Sequence, residues 1–572
     1  MNRILAGVAI FIGFGTVSLA QTAYVARELQ NLDPQSHVNV IVRFKHAPDF
    51  AHHQMIRDLG GTVRGTLDLI QAGTYSVPAA TLQSLAYNPE VLSISPDRPV
   101  HMLLDNTTAA VNAPAAWSTG LDGTGIGVAV IDSGISDHDD LQGSAGSRVV
   151  YRESFVGSDG TDGFGHGEHV AGILAANGAD SNCGICTRHF VGLAPNVKLI
   201  DLQVLDSNGV GTDSGVIAAI TRAIQLQSLY NIRVINLSLG RPVYESYALD
   251  PLCLAVESAW KAGIVVVVAA GNGGRDNPAG NNGYGTITAP GNDPYVITVG
   301  AMKSMGTPQR TDDLIASYSS KGPTQIDHVV KPDLVAPGNL VVSLLSPNGT
   351  LSTQFPQDLV PISYYEQTSQ PDLSTSYFTL SGTSMAAPAV SGAAALLLQA
   401  NPALTPDQVK YKLMRTAYKS FPKTSTAYDP ASGQSYTSEY DVFTVGAGYL
   451  DIQAALADTS TPRNSALSPT AHYIPGLLGG ILGLLGLNEA TLNCNSTTVC
   501  SPTLFGTQSI WGDQAIASDQ SIWGDQSIWG DQSIWGDQSI WGDQSIWGDQ
   551  SISGTASTDP VEAMRIMTQG EQ

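Results

Sequence analysis

Two patterns of hydrophobic and polar positions divide the chain. Residues 38–100 alternate short strand-like stretches with helical stretches that stop at Gly or Asn, which predicts a small α+β unit. Between Gly125 and Asp451 the strand-like segments become continuous apolar runs separated by helical stretches, namely IGVAVID, KLIDLQVL, RVINLSL, GIVVVVAAG and YVITVG. Such runs are typical of parallel strands covered on both faces, so we expect an open α/β sheet.

The N-terminus predicts export. Residues 1–20 combine Arg3 near the start, an apolar run and small residues before Gln21, which is the pattern of a secretory signal peptide cut after Ala20. The apolar run is shorter than the ~20 residues that a membrane span needs. We therefore expect a secreted or cell-surface protein with no transmembrane span once the signal is removed.

The remaining boundaries follow changes in pattern. The small unit is assigned to residues 21–105 and the α/β unit to residues 106–457, and the aperiodic residues 100–116 predict a linker between them. Residues 458–508 form a Gly/Leu-rich, Cys-containing linker, in which we expect residues 475–488 to be buried or interfacial. A hexapeptide repeat, SIWGDQ, occupies residues 509–554, and residues 555–572 form a C-terminal tail.

The charge of the chain limits its binding partners, and its cysteine content predicts disulfides. Lys and Arg number 27 against 50 Asp and Glu, a formal net charge of -23, so nucleic acid is excluded as a partner. Five cysteines in an exported chain imply disulfides with one thiol left over. Cys494 and Cys500 are the easiest pair. Cys183 and Cys186 form a CxxC whose redox and zinc interpretations are weaker than a small loop disulfide or a bond to Cys253.

The stretch FGHGEHVAG, residues 164–172, raises the question of a metal site. Its two histidines, His166 and His169, do not have the spacing of zinc proteases, in which both rings must reach one ion from one helical face. Taken alone, the pair indicates polar residues at a helix start. The rest of the chain has to decide between that interpretation and a catalytic base.

Three further residues stand where strands or loops end. Asp132 ends an apolar run, and Ser384 lies in a small-residue loop before an apolar helix, although each alone is a common turn or cap residue. A serine becomes nucleophilic when a histidine takes its proton and a carboxylate orients that histidine. Asn272, after another buried strand, offers an amide to a developing oxyanion or serves as a turn residue.

Five segments in order carry a resemblance to the subtilisin-like serine peptidases: VAVIDSGI, HGEHVAGI, VINLSLG, AAGN and SGTSMAAP. The resemblance covers about Pro114 to Ala457 and implies the subtilisin-like three-layer α/β fold with a mostly parallel sheet. It also implies nucleophile Ser384, base His166, orienting Asp132 and oxyanion donor Asn272, with His169 a helix residue. Glu168 departs from the pattern, since the family usually has Thr there. A carboxylate at that position could raise the pKa of His166 or alter a local hydrogen bond, or its side chain could equally point away from the site.

The order of these residues excludes the main competing fold. In α/β-hydrolases the nucleophile precedes its Asp and His, whereas here Asp132 and His166 come before Ser384. The histidine that follows Ser384, His472, lies outside the core pattern.

The same resemblance implies a substrate site. An extended peptide would lie between two strands, and the substrate-binding residues are Gly209, Gly211, Ser238, Leu239, Gly240 and Thr288. Thr288 falls near the floor of the specificity pocket and carries no charge, which favours neutral or apolar side chains before the cut. Asp140 matches a position that often binds calcium in the family, although neighbouring carboxylates are more often a solvated surface.

We therefore expect a secreted serine endopeptidase that needs no cofactor for its chemistry, with structural calcium possible. Residues 38–104 resemble the family's inhibitory prosegment, a small α+β (ferredoxin-like) domain, so the partners are polypeptide substrates and the chain's own prosegment. We expect a precursor that cuts itself between Val100 and Val111. The alternative is a surface binding or adhesion protein with a vestigial peptidase domain, in which the Trp-containing repeat makes the contacts.

Overall fold

The computed structural model describes residues 23–25, 29, 32–34, 36–67, 71–96, 106–276, 281–368, 370–430, 432–460, 462, 465–473, 490–493 and 560–571. By its contacts the chain forms two compact units, residues 1–101 and residues 102–572. The predicted signal peptide, the Gly/Leu-rich segment, Cys494 and Cys500, and the SIWGDQ repeat lie outside the described residues.

The first unit is a five-stranded sheet with two helices. Its strands are Tyr24–Val25 (β1), His37–Phe44 (β2), Thr62–Leu67 (β3), Ala72–Pro78 (β4) and Val91–Pro96 (β5), and its helices are Phe50–Asp58 (α1) and Leu82–Ala86 (α2). The strand order is β1-β5-β2-β4-β3, and β2 runs antiparallel to both β4 and β5. Without β1, this is the β-α-β-β-α-β order of ferredoxin-like domains, as the sequence predicts.

The core of this unit explains its pattern. Alternate residues of β2, Val40, Val42 and Phe44, are fully buried, and Ile56 of α1 packs into the same cluster. Helix α1 begins where the pattern places it because the Asp49 side chain accepts hydrogen bonds from the first-turn amides.

The second unit contains the remaining elements. Its strands are Gly127–Asp132 (β6), Gln142–Gly143 (β7), Gly146–Ser147 (β8), Val149–Ser154 (β9), Lys198–Gln203 (β10), Ile232–Leu237 (β11), Val265–Ala269 (β12), Ile297–Lys303 (β13), Leu314–Ile315 (β14), Leu334–Pro337 (β15), Val341–Leu344 (β16), Leu359–Pro361 (β17), Leu373–Leu380 (β18), Thr424–Asp429 (β19), Gln434–Glu439 (β20), Thr470–Tyr473 (β21) and Ala490–Asn493 (β22). Its helices are Asn106–Ala110 (α3), Ala113–Trp117 (α4), His166–Ala175 (α5), Asp213–Tyr230 (α6), Pro251–Lys261 (α7), Thr350–Gln354 (α8), Thr383–Ala400 (α9), Pro406–Thr416 (α10), Val442–Val445 (α11), Ile452–Ala457 (α12) and Pro560–Gln569 (α13).

An eight-stranded sheet forms the centre of this unit. Its order is β14-β13-β12-β11-β6-β10-β9, with β15 paired to β13, and every pairing is parallel except that of β13 with β14. Helices α5 and α9 pack against each other, as do α6 and α7, and these helices contact the sheet. The predicted three-layer fold with a mostly parallel sheet is confirmed.

This topology brings the candidate residues to one edge. Asp132 ends β6, Ser238 directly follows β11, and Asn272 lies three residues after β12. Because these three strands are parallel neighbours, their carboxyl ends meet at the same sheet edge. Helix α9 passes over β11, β12 and β13 and begins at that edge. Among the described residues it alone is long and apolar enough to cross a membrane, and most of it is buried in the core.

The prediction that residues 100–116 are a linker is wrong for its second half. Residues 106–110 and 113–117 form α3 and α4, and Val111, Ala113 and Ala116 are fully buried. The amide of Ile452, the first residue of α12, donates to the carbonyl of Val111 and holds this segment against α12. Each helix is only five residues long, so the segment has no readable period and its burial depends on distant partners.

Candidate active site

Asp132 and His166 form a buried pair. The Nδ1 atom of His166 lies 2.7 Å from Oδ1 of Asp132, and the same oxygen accepts the Ser133 amide at 2.8 Å. Burial of the ring opposes protonation, but the charge and hydrogen bond of Asp132 outweigh it and raise the pKa of His166 above 6.5. A proton held on Nδ1 leaves Nε2 of His166 free to accept one.

Asp162 fixes the start of the helix that carries His166, and the sequence analysis missed it. Its Oδ1 accepts the Gly165 amide at 2.7 Å and the Ser133 hydroxyl at 2.8 Å, while its Oδ2 accepts the Glu168 amide at 2.7 Å. These amides belong to the first turn of α5, where helices lack internal acceptors. The N-cap position of α5 is Gly165, which has no side chain to cap the helix, and Asp162 lies three residues before it, so no standard capping signal in the sequence marks Asp162.

Glu168 makes a local hydrogen bond, which is one of the alternatives that its position in the motif leaves open. Its side chain is fully buried, and its Oε2 accepts the amide of Ser136. Burial, together with the negative charge of Asp162, raises the pKa of Glu168 well above its usual range. The groups that raise the pKa of His166 are Asp132 and Asp162, so the predicted influence of Glu168 on that base is not found.

His169 has a structural position in the same helix. Its Nε2 lies 3.0 Å from the carbonyl oxygen of Val341 and 3.2 Å from that of Phe378. Burial, first of all, lowers the pKa of His169 to about 3, so the ring stays neutral. Of the three groups of potential metal ligands among the described residues, none contains His166 or His169.

Ser384 lies in the first turn of the long core helix α9. Gly382 precedes the helix at a φ of 145°, a conformation that L side chains rarely adopt, and so turns the chain sharply into α9. The Ser384 hydroxyl donates to the carbonyl of Ser238 at 3.1 Å, and the Ser238 hydroxyl donates to the carbonyl of Ser384 at 2.8 Å. The nucleophile candidate is therefore tied to the strand end of β11, and first-turn amides have no acceptor within the helix.

Asn272 is oriented by the residue next to Ser384. Its Oδ1 accepts the Thr383 amide at 2.9 Å and lies 3.1 Å from the Thr383 hydroxyl. With the oxygen held by these donors, the NH₂ group of the same amide remains to donate elsewhere. Asn272 and the first turn of α9 thus offer adjacent N–H donors at the sheet edge.

The predicted substrate segments lie beside this edge. A Cβ on Gly240 would lie 2.5 Å from Oγ1 of Thr288, so the backbone at Gly240 packs directly on that side chain. The Thr288 amide in turn donates to Ala270 at 3.1 Å, next to the Asn272 loop. Ser238 is buried, and Leu239 is half-buried beside it.

Gly209 and Gly211 lie in the loop after β10. A side chain at Gly209 would meet the ring of Phe164 at 2.8 Å, two residues before His166, and one at Gly211 would meet the carbonyl of Val204 at 2.3 Å. The close packing explains why glycine occupies both positions. It also places this loop beside the segment that carries the base.

Asp140 lies within a compact polar cluster with His138 and Asp180. Its Oδ1 accepts the Asp180 amide at 2.7 Å and its Oδ2 accepts the Tyr377 hydroxyl at 2.9 Å, while burial raises its pKa. Calcium prefers six to eight oxygen ligands from ionised or carbonyl groups. This hydrogen-bonded, His-containing cluster does not fit that demand, so we derive no role for calcium from it.

Of the two pairings predicted for the CxxC cysteines, the structure contains the small loop disulfide. Cys183 and Cys186 form the small loop disulfide. Cys253 carries a free buried thiol in α7, so the proposed bond from the CxxC to Cys253 is not made. Burial raises the pKa of the Cys253 thiol, which makes it unreactive.

The sequence of the chain is similar to those of known peptidases. The model of the subtilase family matches residues 123–448. The serine protease AprX of Bacillus subtilis is 39% identical over 347 residues, covering 58% of this chain and 71% of that protein. Subtilisin E of Bacillus subtilis is 34% identical over 367 residues, covering 64% and 80%. Alkaline elastase YaB of a Bacillus species is 30% identical over 422 residues, covering 73% and 93%.

Proposed function

Because the chain belongs to the subtilase family and is a serine-type endopeptidase, we propose that Ser384, His166 and Asp132 are its catalytic triad and that Asn272 is its oxyanion donor. The observation that carries this assignment is the buried hydrogen bond of 2.7 Å between His166 and Asp132. This bond leaves Nε2 of His166 free to act as a base. Ser384 lies in the first turn of α9, where its hydroxyl donates to the carbonyl of Ser238, and we propose that this hydroxyl turns to Nε2 of His166 when substrate binds.

The proton path follows from the tautomer. Nε2 of His166 takes the Ser384 proton while Oγ attacks the substrate carbonyl carbon, and Asp132 stabilises the imidazolium that forms. The same imidazolium then gives its proton to the leaving amine, and an acyl-enzyme remains. Water repeats the sequence in the second half-reaction and releases Ser384. No cofactor is needed for any of these steps.

Negative charge develops on the substrate carbonyl oxygen during each attack. The Asn272 side-chain amide and the first-turn amide of Ser384 are the donors that would receive it. Helix α9 adds the partial positive charge of its N-terminus. Thr383 supports this arrangement because it holds the Asn272 oxygen and so directs the NH₂ group away from itself.

The substrate is a polypeptide bound in an extended conformation between Gly209–Gly211 and Ser238–Gly240, with Thr288 near the pocket floor. Backbone hydrogen bonds to an extended chain hold one carbonyl in place. The uncharged Thr288 favours neutral or apolar side chains before the cut. One relative bears the name alkaline elastase.

The enzyme is made as a secreted precursor with an inhibitory prosegment. The N-terminal pattern of residues 1–20 supports export. The ferredoxin-like topology of the first unit, which precedes the catalytic unit in the chain, supports a prosegment. The comparisons give no support to the alternative of a binding protein with a vestigial peptidase domain.

Active-site labelling tests the assignment. A fluorophosphonate probe should label the wild-type protein at Ser384, and labelling should be lost in Ser384→Ala and strongly slowed in His166→Ala. Peptide mapping of the labelled protein identifies the serine. Labelling at another serine, or equal labelling of the Ser384→Ala protein, would overturn the assignment.

A further inference from the structure

The last residues of the chain pack onto the catalytic unit, far beyond the stretch that matches the family model. Helix α13 covers residues 560–569, and both Ile566 and Thr568 are buried. Gly570 follows at a φ of 61°, and a Cβ there would lie 2.5 Å from Oγ of Ser381. A larger residue at this position would clash with Ser381, so the backbone at Gly570 packs tightly against the catalytic unit.

Glu571 is the anchor of this contact. Its side chain is 1% exposed, and its carboxylate lies 2.9 Å from Nη2 of Arg275 and 2.7 Å from Nζ of Lys303. The same carboxylate accepts the amide of Ser317 at 2.9 Å and also the Ser317 hydroxyl. Asn339 binds the main chain of Glu571 in both directions, at 2.7 and 2.8 Å.

The charges at this anchor depend on one another. Burial alone would raise the pKa of Glu571, but the nearby Lys303, with Ser317 and Arg275, outweighs it and lowers that pKa. Arg275 is itself buried, with a side chain that is 4% exposed. Removing one partner of a buried pair leaves the other charge without compensation, which is strongly unfavourable.

Both loops that carry the proposed oxyanion site and nucleophile touch this segment. Arg275 lies three residues after Asn272, and its Nε donates to Oγ of Ser317 at 2.8 Å. On the other side, the amide of Ser381, three residues before Ser384, donates to the carbonyl of Met567 at 2.8 Å. The segment that ends at Glu571 therefore contacts both the loop that carries Asn272 and the loop that carries Ser384.

We propose that residues 560–571, here called the C-terminal segment, hold the Asn272 and Ser384 loops in their catalytic positions, with Glu571 as a positioning residue. The inference rests on the proposed function, since it concerns the same two residues. Catalytic geometry is sensitive to displacements of about 1 Å, which can cost on the order of 10²-fold in rate. The segment touches no substrate and acts through Arg275 and Ser381.

In the sequence, the hexapeptide repeat lies between two described segments that both contact the catalytic unit. The hairpin of β21 and β22 is attached to the catalytic unit before the repeat, through the amide of Ala471 and the carbonyl of His328 at 2.8 Å. The C-terminal segment is attached after it. Described residues that contact the catalytic unit therefore lie on both sides of the repeat in the sequence, and removal of the repeat is a different experiment from removal of the chain end.

Two deletions in the full chain separate the contribution of the C-terminal segment from that of the repeat. One removes residues 560–572, and the matched control removes the five adjacent repeat copies, residues 521–550. Each protein is trimmed in trans by wild-type enzyme where needed, repurified, and assayed on a short peptide well below its unfolding temperature. We expect loss of residues 560–572 to lower kcat on the order of 10²-fold with little change in KM, and loss of the repeats to leave both unchanged.

Glu571→Gln removes the charge without removing the segment, and Gln569→Ala is its control, since Gln569 is an exposed residue of the same C-terminal segment. We expect Glu571→Gln to lower kcat and the rate of fluorophosphonate labelling in parallel, and Gln569→Ala to change neither. A synthetic peptide of residues 560–572 should restore activity to the truncated protein, and the peptide with Glu571→Gln should not.

The outcomes are distinct. If the truncated protein and Glu571→Gln keep the wild-type kcat and labelling rate and lose only thermal stability, the segment is merely structural and the inference is wrong. If truncation prevents folding, Glu571→Gln decides alone. If the wild-type chain itself is not labelled at Ser384, the proposed function fails, and that result is visible before any C-terminal variant is made.

Discussion

The ring of His166 is held by Asp132 through a hydrogen bond of 2.7 Å between Nδ1 and Oδ1, and both side chains are buried. The pair has two consequences. The carboxylate selects the tautomer in which Nε2 is a base, and its charge raises the pKa of the ring. A base that must be neutral to accept a proton then loses function as pH falls through that raised pKa.

The first prediction is the pH dependence that follows. The kcat/KM of the wild-type enzyme should rise with pH, with its midpoint above 6.5, because His166 must lose its proton before it can act. Asp132→Asn should shift that midpoint down and lower kcat by about 10⁴-fold, since the neutral amide no longer fixes the tautomer. A wild-type midpoint below 6.5 would contradict this account.

The second prediction separates the two histidines of the motif. His166→Ala should lower kcat by about 10⁶-fold, the cost of losing a triad base. His169→Ala should mainly lower the unfolding temperature, because it removes a buried ring that contacts the carbonyls of Val341 and Phe378. Steady-state kinetics and thermal unfolding measure the two effects. Equal kinetic losses that added zinc restores would instead indicate a metal site.

The third prediction concerns Asn272. Asn272→Leu should lower kcat by about 10²–10³-fold with little change in KM, because one donor to the developing oxyanion is lost. Asn272→Asp should be no better, since it keeps the oxygen that binds Thr383 but has no NH₂ group. Asn182→Leu, at an exposed position, serves as the control. An effect confined to KM would assign Asn272 to substrate binding.

The fourth prediction uses the buried carboxyl of Glu168. Its folded pKa lies well above 4.5, so the stability it contributes is present below the unfolded pKa and lost as pH rises. Glu168→Gln, which keeps an acceptor for the Ser136 amide, should therefore stabilise the protein relative to wild type by an amount that grows as pH rises above 4.5. Thermal unfolding across that range measures the gap. Exposed Glu245→Gln is the control, and a gap that does not grow with pH would refute the assignment.

The fifth prediction concerns maturation. The expected window for self-cleavage was residues 100–111, but residues 106–110 form a helix with Thr107, Thr108 and Ala110 buried, and a protease needs an extended chain. We therefore expect the cut between residues 100 and 105, which lie outside the described residues. Ser384→Ala should accumulate without this cut, and active enzyme added in trans should make it. N-terminal sequencing and intact mass identify the bond, and maturation of Ser384→Ala in a peptidase-free host would require a separate convertase.

Local pattern was sufficient for much of this protein. The apolar runs that predict buried parallel strands correspond to β6, β10, β11, β12 and β13, and the helical stretches between them correspond to α6 and α7. A fully buried strand needs apolar residues at nearly every position, so its signal is contained in its own residues. The triad could be proposed from the sequence because Asp132, His166 and Ser384 each lie in a short motif, and the three motifs occur in the order of the subtilisin-like peptidases. Their roles stay predictions until the labelling and kinetic tests are made.

Other features were decided by contacts between distant parts of the chain. The helices at residues 106–117 are buried by a segment more than 300 positions away, as the 339-residue separation of Asn112 and Asp451 illustrates. The direction of the Glu168 side chain was set by the Ser136 amide. Neither the burial of these helices nor the direction of the Glu168 side chain can be predicted from the hydrophobic pattern of the neighbouring residues.

The sequence by itself determined the buried strands β6, β10, β11, β12 and β13, the helices α6 and α7, and which residues carry peptidase motifs, because backbone periodicity and motif spacing are local properties. Tertiary structure alone decided that Asp162 caps α5, that Glu168 is buried away from His166, and that Glu571 pairs with Arg275 across 296 positions. A buried charge is stable only where packing supplies its partner. That partner is chosen by the fold rather than by neighbouring residues, so a chain end that the sequence predicts to be a tail lies against the loops of the proposed active site.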